Sequence, residues 1–531
     1  MTLADGILPP ARGWNAYLLV TAAVAGAQVM LIEVLGSRVI GPYYGVSLFV
    51  WTSLITVTLT AVGAGYAVGG ALADRYRSAD LLYGLLLAAG LLTLPIPLLK
   101  PVALHLAEPL GLRVGALVSA LLLLGPALFV LGCTTPCIVR LGLREAERVG
   151  RTVGVFYAVS TAGSVAGTVL AGFFLIPWLG VSLAFIAVGG VLIALAAGYF
   201  LLFRGKLWPA AALLLVFIAL PARLPESGVM PDGTSVRVLH SRDSHYGNVS
   251  VVDFRHGDAH TRELMIDSLV QGGVDVSNGL SIYEYAYLLQ RLPFALRDDI
   301  RTCLVIGLGA GIVPRWFHAR GVATEVVDID PAVHEAARSY FDFPADIPVH
   351  IEDARAFLAN ATKRYDVLVL DVFTGDTTPA HLLTLEAVRL MKARQAPGGM
   401  FAANLVGSLG KDSFMTASIA RTLGAAYDNV VLYPFFEMRG EAYGNLVVIA
   451  YDGPPRPDIG PRIAREGVHR LAAEWVARAL AQPYRLAEGT PAMLLTDDRN
   501  PLDVRDLWLK ESVRRRILET TPAAVLLGAL P

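Results

Sequence analysis

The stretch VIGLGAGIVPRWFHARGVATEVVDID, residues 305–330, decides how the second half of this chain folds. An apolar run ends in three alternating glycines, Gly307, Gly309 and Gly311. A helix-compatible segment follows, and a second apolar run then ends in acids. Strand, glycine turn, helix and strand is the opening of an α/β nucleotide-binding unit. Glycines at such a turn let the backbone approach a ligand and aim helix amides at it. Asp328 stands about 20 residues after the turn, at the end of the second strand, where a carboxylate can accept both ribose hydroxyls.

The alternation continues downstream. Strands are predicted at 302–307, 324–329, 349–352, 366–372 and 400–404, with helices between them and late strands near 430–433 and 445–450. This pattern predicts a doubly wound, methyltransferase-like (Rossmann-type) sheet with an antiparallel end. Asp353 follows the third strand, within reach of an adenine amino group, and Asp371 and Asp376 follow the fourth in LDVFTGD. Each acid alone is equally well explained as a cap for the helix after it. Acids at three successive strand tips point instead to one crevice, because open α/β sheets bind ligands there. NAD-binding proteins share the early part of this pattern. The adenine-side acid and the late antiparallel strands favour a nucleoside bearing an S-adenosyl sulfonium.

Before residue 224 the chain changes character. Of 531 residues 54% are hydrophobic and 17% charged, and mean hydropathy is +0.54. Charges are sparse from residue 14 to 222, whereas a bilayer crossing needs about 20 apolar residues. Runs at 15–32, 47–73, 81–99 and 114–139 carry no charge, and neither does 152–203, which is long enough to cross twice with a break near Pro177 and Gly180. These runs predict six spans, and a shorter seventh run at 207–222 spans, tilts or lies at the interface. The expected architecture is a multispan α-helical membrane bundle (1–223), a small antiparallel β unit (224–280) and a Rossmann-like catalytic domain (281–531). Gly65 with Gly69, and Gly163 with Gly167, form G-x-x-x-G pairs that suit close helix packing. GGALADRYR, residues 69–77, resembles the loop after the second helix of major facilitator transporters, which implies a similar helix-turn geometry.

Nine Lys and Arg fall in loops on one side of these spans and three on the other, which places the amino terminus in the cytoplasm. Six spans return the soluble half to the cytoplasmic face of a cell (inner) membrane; a seventh would put it outside. Glu33 and Arg38 flank the expected end of the first span, where interface solvation or an ion pair accounts for them. Cys133 and Cys137, in CTTPC, have helical spacing; buried free thiols explain them better than a disulfide or a metal site, and no metal is expected. No cleavable signal peptide is evident. A net charge of −1 gives no electrostatic footprint for nucleic acid. The expected partners are a bilayer and a small substrate.

From about residue 241 to 405 the chain resembles the spermidine synthase (polyamine aminopropyltransferase) family. DSHYGNVSVVD resembles its E-S-x-Y-Q-x-I-x-V opening, and IDSLVQ resembles L-D-G-x-x-Q, with Asp267 and Gln271 retained. YAYLLQRLPF stands for Y-H-E-M-L-x-H-x-P, GLGAGI for G-G-G-D-G-G, VDID for V-E-I-D, EDA for x-D-G and YDVLVLDVF for Y-D-V-I-I-x-D. LTDDRNPLD, residues 495–503, resembles a segment of membrane-fused members, a subgroup whose layout this chain shares. The resemblance implies an aminopropyltransferase that uses decarboxylated S-adenosylmethionine and a polyamine and that forms a homodimer. It implies that Asp371 is the base, with Asp376 in support, and that Tyr285 and Gln271 orient the amine. Gly307, Gly309, Gly311, Asp328, Asp353 and Gln271 would hold the nucleoside, while Tyr246 would wall the substrate pocket and Asp267 would contact the amine; Asp497 would supply substitute charge for the amine if the tail folds back over the cleft.

Several family groups are missing. Ala310 replaces the acid that grips the aminopropyl amine, Gly247 replaces a Gln, Ala286 and Tyr287 replace His-Glu, and Thr374 replaces the second catalytic Asp. Nucleoside groups survive while amine groups change, so the acceptor is open. Two alternatives follow: a methyltransferase using intact S-adenosylmethionine, and a polyamine transporter or sensor whose soluble half binds without turnover.

Overall fold

The computed structural model describes residues 13–45, 48–143, 149–219, 227–230, 232–373, 378–410, 413–437, 442–456, 459–463, 467–505 and 507–520. The chain divides into two compact units. The first is helical: α1 (Trp14–Tyr44), α2 (Leu48–Arg75), α3 (Ala79–Thr93), α4 (Ile96–Ala107), α5 (Gly111–Gly142), α6 (Val149–Leu170), α7 (Ile176–Arg204) and α8 (Leu213–Ala219). The turn Asp243–Gly247 groups with this unit.

Four helical stretches are long and apolar enough to cross a membrane: Trp14–Tyr44, Leu48–Arg75, Ile96–Gly142 and Val149–Arg204. The last is 56 residues long, far more than the roughly 20 that one crossing needs. It bends through a π-helical turn at Ala171–Leu175 and breaks at Gly180, whose φ is 74°. That break lies where the Pro177–Gly180 punctuation predicts it. The run 81–99 falls on α3 and the start of α4, each shorter than a crossing. The described part of the seventh run is a turn of 3₁₀ helix, Trp208–Ala212, followed by the seven residues of α8. Neither that part nor α8 alone reaches the length of a span. Helix α1 continues to Tyr44, so Glu33 and Arg38 lie within it and not beyond its end.

Glycines decide how closely the helices approach. A Cβ on Gly163 would overlap the carbonyl oxygen of Ala23, and one on Gly167 would sit 2.6 Å from that of Ala27, so α6 lies against the α1 backbone. Gly69 on α2 meets the Cys133 backbone of α5 in the same way. Cys133 and Cys137 are buried free thiols at this crossing. We expect Gly163→Leu to lower the thermal midpoint in detergent, with overpacking of about 1–3 kcal/mol. Gly154→Leu, on the same helix with nothing within 4 Å of its added Cβ, is the control and should leave the midpoint in place.

The second unit begins with a five-stranded sheet in the order β1-β2-β3-β4-β5: β1 (Ser227–Val229), β2 (Ser235–Asp243), β3 (Asn248–His256), β4 (Ala259–Ile266) and β5 (Leu269–Asp275). The α/β layers follow as α9 (Tyr285–Leu296), β6 (Thr302–Ile306), α10 (Ile312–His318), β7 (Ala323–Asp328), α11 (Pro331–Tyr340), β8 (Val349–Ile351), α12 (Ala354–Asn360), β9 (Tyr365–Leu370), α13 (Leu385–Ala393), β10 (Gln395–Ser408), α14 (Phe414–Gly424), β11 (Asn429–Pro434), β12 (Tyr443–Tyr451), α15 (Arg470–Ala481), α16 (Leu502–Arg505) and α17 (Leu507–Thr520). Their strands form one sheet in the order β11-β12-β10-β9-β6-β7-β8. β6, β7, β8, β9 and β10 run parallel, and β12 is antiparallel to β10 and β11.

Period-two alternation buries both faces of this sheet, as a sheet covered by helices on each side requires. Cys303 and Val305 of β6 and Val367 and Val369 of β9 share one core with α9, α10, α11 and α15. Leu304, Ile306, Leu368 and Leu370 share the other with α12, α13 and α14. Val249, Val251, Leu264 and Val274 of the small sheet belong to the first core. The two sheets therefore fold as one body across residue 280. The strand predicted at 400–404 is longer than expected, Gln395–Ser408, because β12 pairs along its outer half.

Candidate active site

Chain order changes direction between β6 and β9, and the side chains of interest gather at the strand ends around that point. Each glycine of the turn has a separate reason to be glycine. Gly307 has φ 93° and its added Cβ would overlap the Asp371 carbonyl oxygen. Gly309, at φ 50°, lies under β5, where a Cβ would stand 3.1 Å from the Gln271 carbonyl oxygen. Gly311 is the left-handed residue that starts α10, packed on Phe343.

Asp328 ends β7. Its Oδ2 accepts from the Leu308 amide at 2.8 Å and its Oδ1 from the Asp330 amide at 2.8 Å. The carboxylate thus braces the glycine turn, and each oxygen keeps a lone pair for a ligand. Burial pushes its pKa up to about 6 against the pull of these amides. Asp330, the neighbouring acid of VDID, instead caps α11 through the Ala332 amide and is buried. Asp353 caps α12 through the Ala356 amide, and its Oδ2 lies 3.6 Å from His381 Nε2. The capping expectation therefore applies to Asp353. Ile329 and Ile351, one at each of these two strand tips, are exposed apolar side chains, suited to the faces of a purine.

Asp371 follows β9, its backbone amide held by the Ile306 carbonyl. Asn404 Nδ2 donates to its Oδ1 at 3.0 Å, and Asn445 Nδ2 donates to Asn404 Oδ1 at 3.2 Å. Burial pushes the Asp371 pKa up to about 6, with the Asn404 amide acting in the opposite direction. Tyr285, the first residue of α9, donates its hydroxyl to the Gln271 carbonyl at 3.2 Å. Its phenol is driven well up by burial, then by the charges of Asp371 and Glu284. The Gln271 amide turns back to the Leu269 carbonyl. One wall of the cleft therefore carries a partly buried carboxylate with two side-chain amides behind it and a phenol close by.

The remaining candidates are placed elsewhere. Asp267 has φ 48° in the β4–β5 turn and accepts from the Asn248 amide at 2.9 Å, a turn-holding role. Tyr246 lies in the turn that groups with the helical unit, half exposed. Asp497 lies against α12, held by Arg355 through paired bonds of 2.8 and 2.7 Å. That guanidinium holds the Asp497 pKa down at about 2, so its charge is matched and it does not substitute for the missing amine acids. Asp376 and Thr374 lie outside the described residues.

Reading the sequence alone does not single out Asn404, Asn445, Glu263 or Tyr283. Asn404 is polar, fully buried in an apolar strand and flanked by Ala403 and Leu405, a signal available in MFAANLV. Glu263 is an acid inside RELMI, where alternation alone makes it a solvent-facing strand residue.

No family model matches the chain. Over 141 residues it is 38% identical to the N-terminal histidine N-methyltransferase of Emericella nidulans, covering 26% of this chain and 25% of that protein. It is 30% identical over 209 residues to polyamine aminopropyltransferase 2 of Pseudomonas aeruginosa, 37% of this chain and 57% of that one. The polyamine aminopropyltransferase of Corynebacterium efficiens matches at 25% identity over 428 residues, 74% of this chain and 78% of its own length. That share of this chain is more than the soluble half contains. The first two matches span a quarter and somewhat over half of those relatives. Among solved structures, a probable spermidine synthase from Corynebacterium glutamicum is 19% identical with a TM-score of 0.38, covering 47% of this chain and 97% of that one. Human methyltransferase-like protein 13 is 23% identical with a TM-score of 0.29, covering 39% and 94%. The strand order defines an α/β domain of the methyltransferase type. Within that type, the chain is similar in sequence to proteins named polyamine aminopropyltransferases.

Proposed function

We propose that this protein is a membrane-bound aminopropyltransferase, moving an aminopropyl group from decarboxylated S-adenosylmethionine to a polyamine. The observation that carries the reading is Asp371, a partly buried carboxylate backed by Asn404 and Asn445 and close to Tyr285, on the same sheet edge whose strand tips carry Asp328 and Asp353. The relatives named polyamine aminopropyltransferases support it.

In this reading Asp328 accepts the ribose hydroxyls and Asp353 accepts from the adenine amino group. Tyr285 and Gln271 orient the acceptor amine. The neutral nitrogen attacks the propyl carbon next to sulfur, a C–N bond forms, the C–S bond breaks and methylthioadenosine leaves. Asp371 takes the proton that the nitrogen releases. A carboxyl with a pKa near 6 is ionised at neutral pH yet remains basic enough for that task. The long apolar helices would hold the enzyme in the membrane, with the soluble half on the cytoplasmic side, where nucleosides are made. Protease protection of right-side-out and inverted vesicles tests that orientation, and light scattering in detergent tests the homodimer.

Ala310 favours a second reading. The family acid that grips the decarboxylated tail is absent, and the Emericella nidulans relative is named a methyltransferase. Intact S-adenosylmethionine would then be the donor and S-adenosylhomocysteine the product. One experiment separates the readings: purified protein is given each form of the donor with 1,4-diaminobutane or spermidine, and the nucleoside products are weighed by mass spectrometry. Methylthioadenosine made only from the decarboxylated donor is the expected result. S-adenosylhomocysteine from the intact donor would replace the first reading with the second. Neither product, with binding intact, would leave a transporter or sensor.

A further inference from the structure

Glu263 is a carboxyl that the reaction described above does not use. It sits on β4 directly opposite Gly273 of β5. A Cβ on Gly273 would stand 3.0 Å from Glu263 Cγ and 3.2 Å from Tyr283 Cε2, so both side chains lie across the space that glycine leaves. There the Tyr283 hydroxyl lies close enough to the Glu263 carboxyl to act on its titration. The Ile282 amide donates to the Gly273 carbonyl at 3.1 Å, which fixes the segment that carries Tyr283 beside β5.

Tyr283 leads back to the reaction centre. Its ring lies 6.4 Å from that of Tyr285, with the planes 28° apart. Tyr285 in turn is near enough to Asp371 to feel its charge. Neighbour by neighbour, Tyr285 and Tyr283 thus connect the surroundings of Asp371 to those of Glu263. Among the described residues Glu263 makes no ion pair with Lys, Arg or His. Burial pushes its pKa up to about 7. A partly enclosed acid without a counter-ion is costly to keep, and an arriving cation offsets that cost. Aromatic faces beside it suit both methylenes and ammonium.

The acceptor poses the matching problem. A diamine reacts through one neutral nitrogen while the other stays protonated. The family acids lost at Ala310 and Thr374 leave charge to be supplied elsewhere. We propose that Glu263, positioned by Tyr283 over Gly273, binds the distal ammonium of the acceptor and so selects diamines and longer polyamines over monoamines. This inference rests on the aminopropyl-transfer reading of the same cleft.

The test is isothermal titration of the full-length protein in detergent, with methylthioadenosine present. The two probes are 1,4-diaminobutane and butylamine, which differ in the second amine. In the wild type the diamine should bind at least about tenfold more tightly, as expected for a charge-assisted contact. Glu263→Gln should reduce the diamine-to-monoamine affinity ratio by about tenfold, and Glu263→Asp, which keeps the charge, should retain part of it. Tyr283→Phe should lower the ratio by a smaller factor. A wild-type protein that binds both probes equally, or a ratio that Glu263→Gln leaves unchanged, overturns the proposal. The wild-type ratio decides even if the variants fail to fold. The titration needs no turnover, so a missing methylthioadenosine product defeats the transfer reading separately from this result.

Discussion

Asp371→Asn is expected to lower the rate of methylthioadenosine formation by about 10²–10⁴-fold while nucleoside affinity changes little, the size usual for loss of a general base. The substitution preserves shape, and an asparagine Oδ1 can still accept the bond from Asn404 Nδ2. What it removes is the capacity to take a proton from the attacking nitrogen. Wild-type turnover should rise with pH as Asp371 ionises through about 6 and then level off. The variant should lose that limb. Rapid-quench product formation from pH 5 to 8, with donor saturating, checks both statements. A variant that retains wild-type turnover at pH 7.5 would remove Asp371 from the chemistry and return the cleft to a binding role.

Why Asp371 could be read from sequence, and Glu263 could not, follows from the kind of structure each inhabits. Parallel strands buried on both faces show as short apolar runs, and the residue that follows each run sits at the ligand edge. Asp328, Asp353 and Asp371 therefore declare their places through the strands before them. The choice between the two acids of VDID is legible in the same way: Asp328 ends the strand, and Asp330 precedes the proline of a helix it caps. Glu263 belongs to an antiparallel strand, where polar residues alternate as a matter of course. Only the pairing register, which puts it over a glycine beside Tyr283, gives it a special environment. Register depends on the bulge between Leu264 and Met265, which no local pattern announces. Asp497 failed for a related reason. Its segment lies against α12, where Arg355, 142 residues away in sequence, pairs with it.

The helical half was legible to the extent that hydropathy alone decides it. Apolar length locates helices, and the Pro177–Gly180 punctuation locates a break because proline lacks a donor and glycine tolerates positive φ. Charge is a poorer guide to helix ends. Glu33 and Arg38 sit inside α1, whose 31 residues span about 46 Å at 1.5 Å per residue, more than the hydrocarbon thickness of a bilayer. A helix that long can carry charges beyond the apolar layer without ending. The glycine pairs were legible as packing sites, whereas their partners, Ala23, Ala27 and Cys133, required the structure.

Asp328→Ala should weaken methylthioadenosine binding by about 10²–10⁴-fold, since hydrogen bonds to a charged group are worth about 1.5–3 kcal/mol each and the ribose offers two. The substitution also removes the acceptor of the Leu308 amide, so the glycine turn loses its brace as well as its ligand contact. The pH dependence separates these two effects. The folded-state pKa of Asp328 is raised from 3.8 to about 6. Relative to the unfolded chain, its contribution to stability is therefore fully present below about pH 4 and is lost as pH rises through about 6. The nucleoside favours the ionised carboxylate, so the same rise in pH strengthens binding. Ligand-induced stabilisation grows with the ratio of ligand concentration to dissociation constant. The thermal shift produced by a fixed concentration of methylthioadenosine should accordingly increase from pH 5 to pH 7.5 in the wild type. In Asp328→Ala it should be small and flat across that range. A flat wild-type response would mean that the carboxylate does not meet the ribose, whatever the variant's affinity. A variant whose shift still climbs with pH would assign the titration to Asp371, the other acid near 6 in the same cleft.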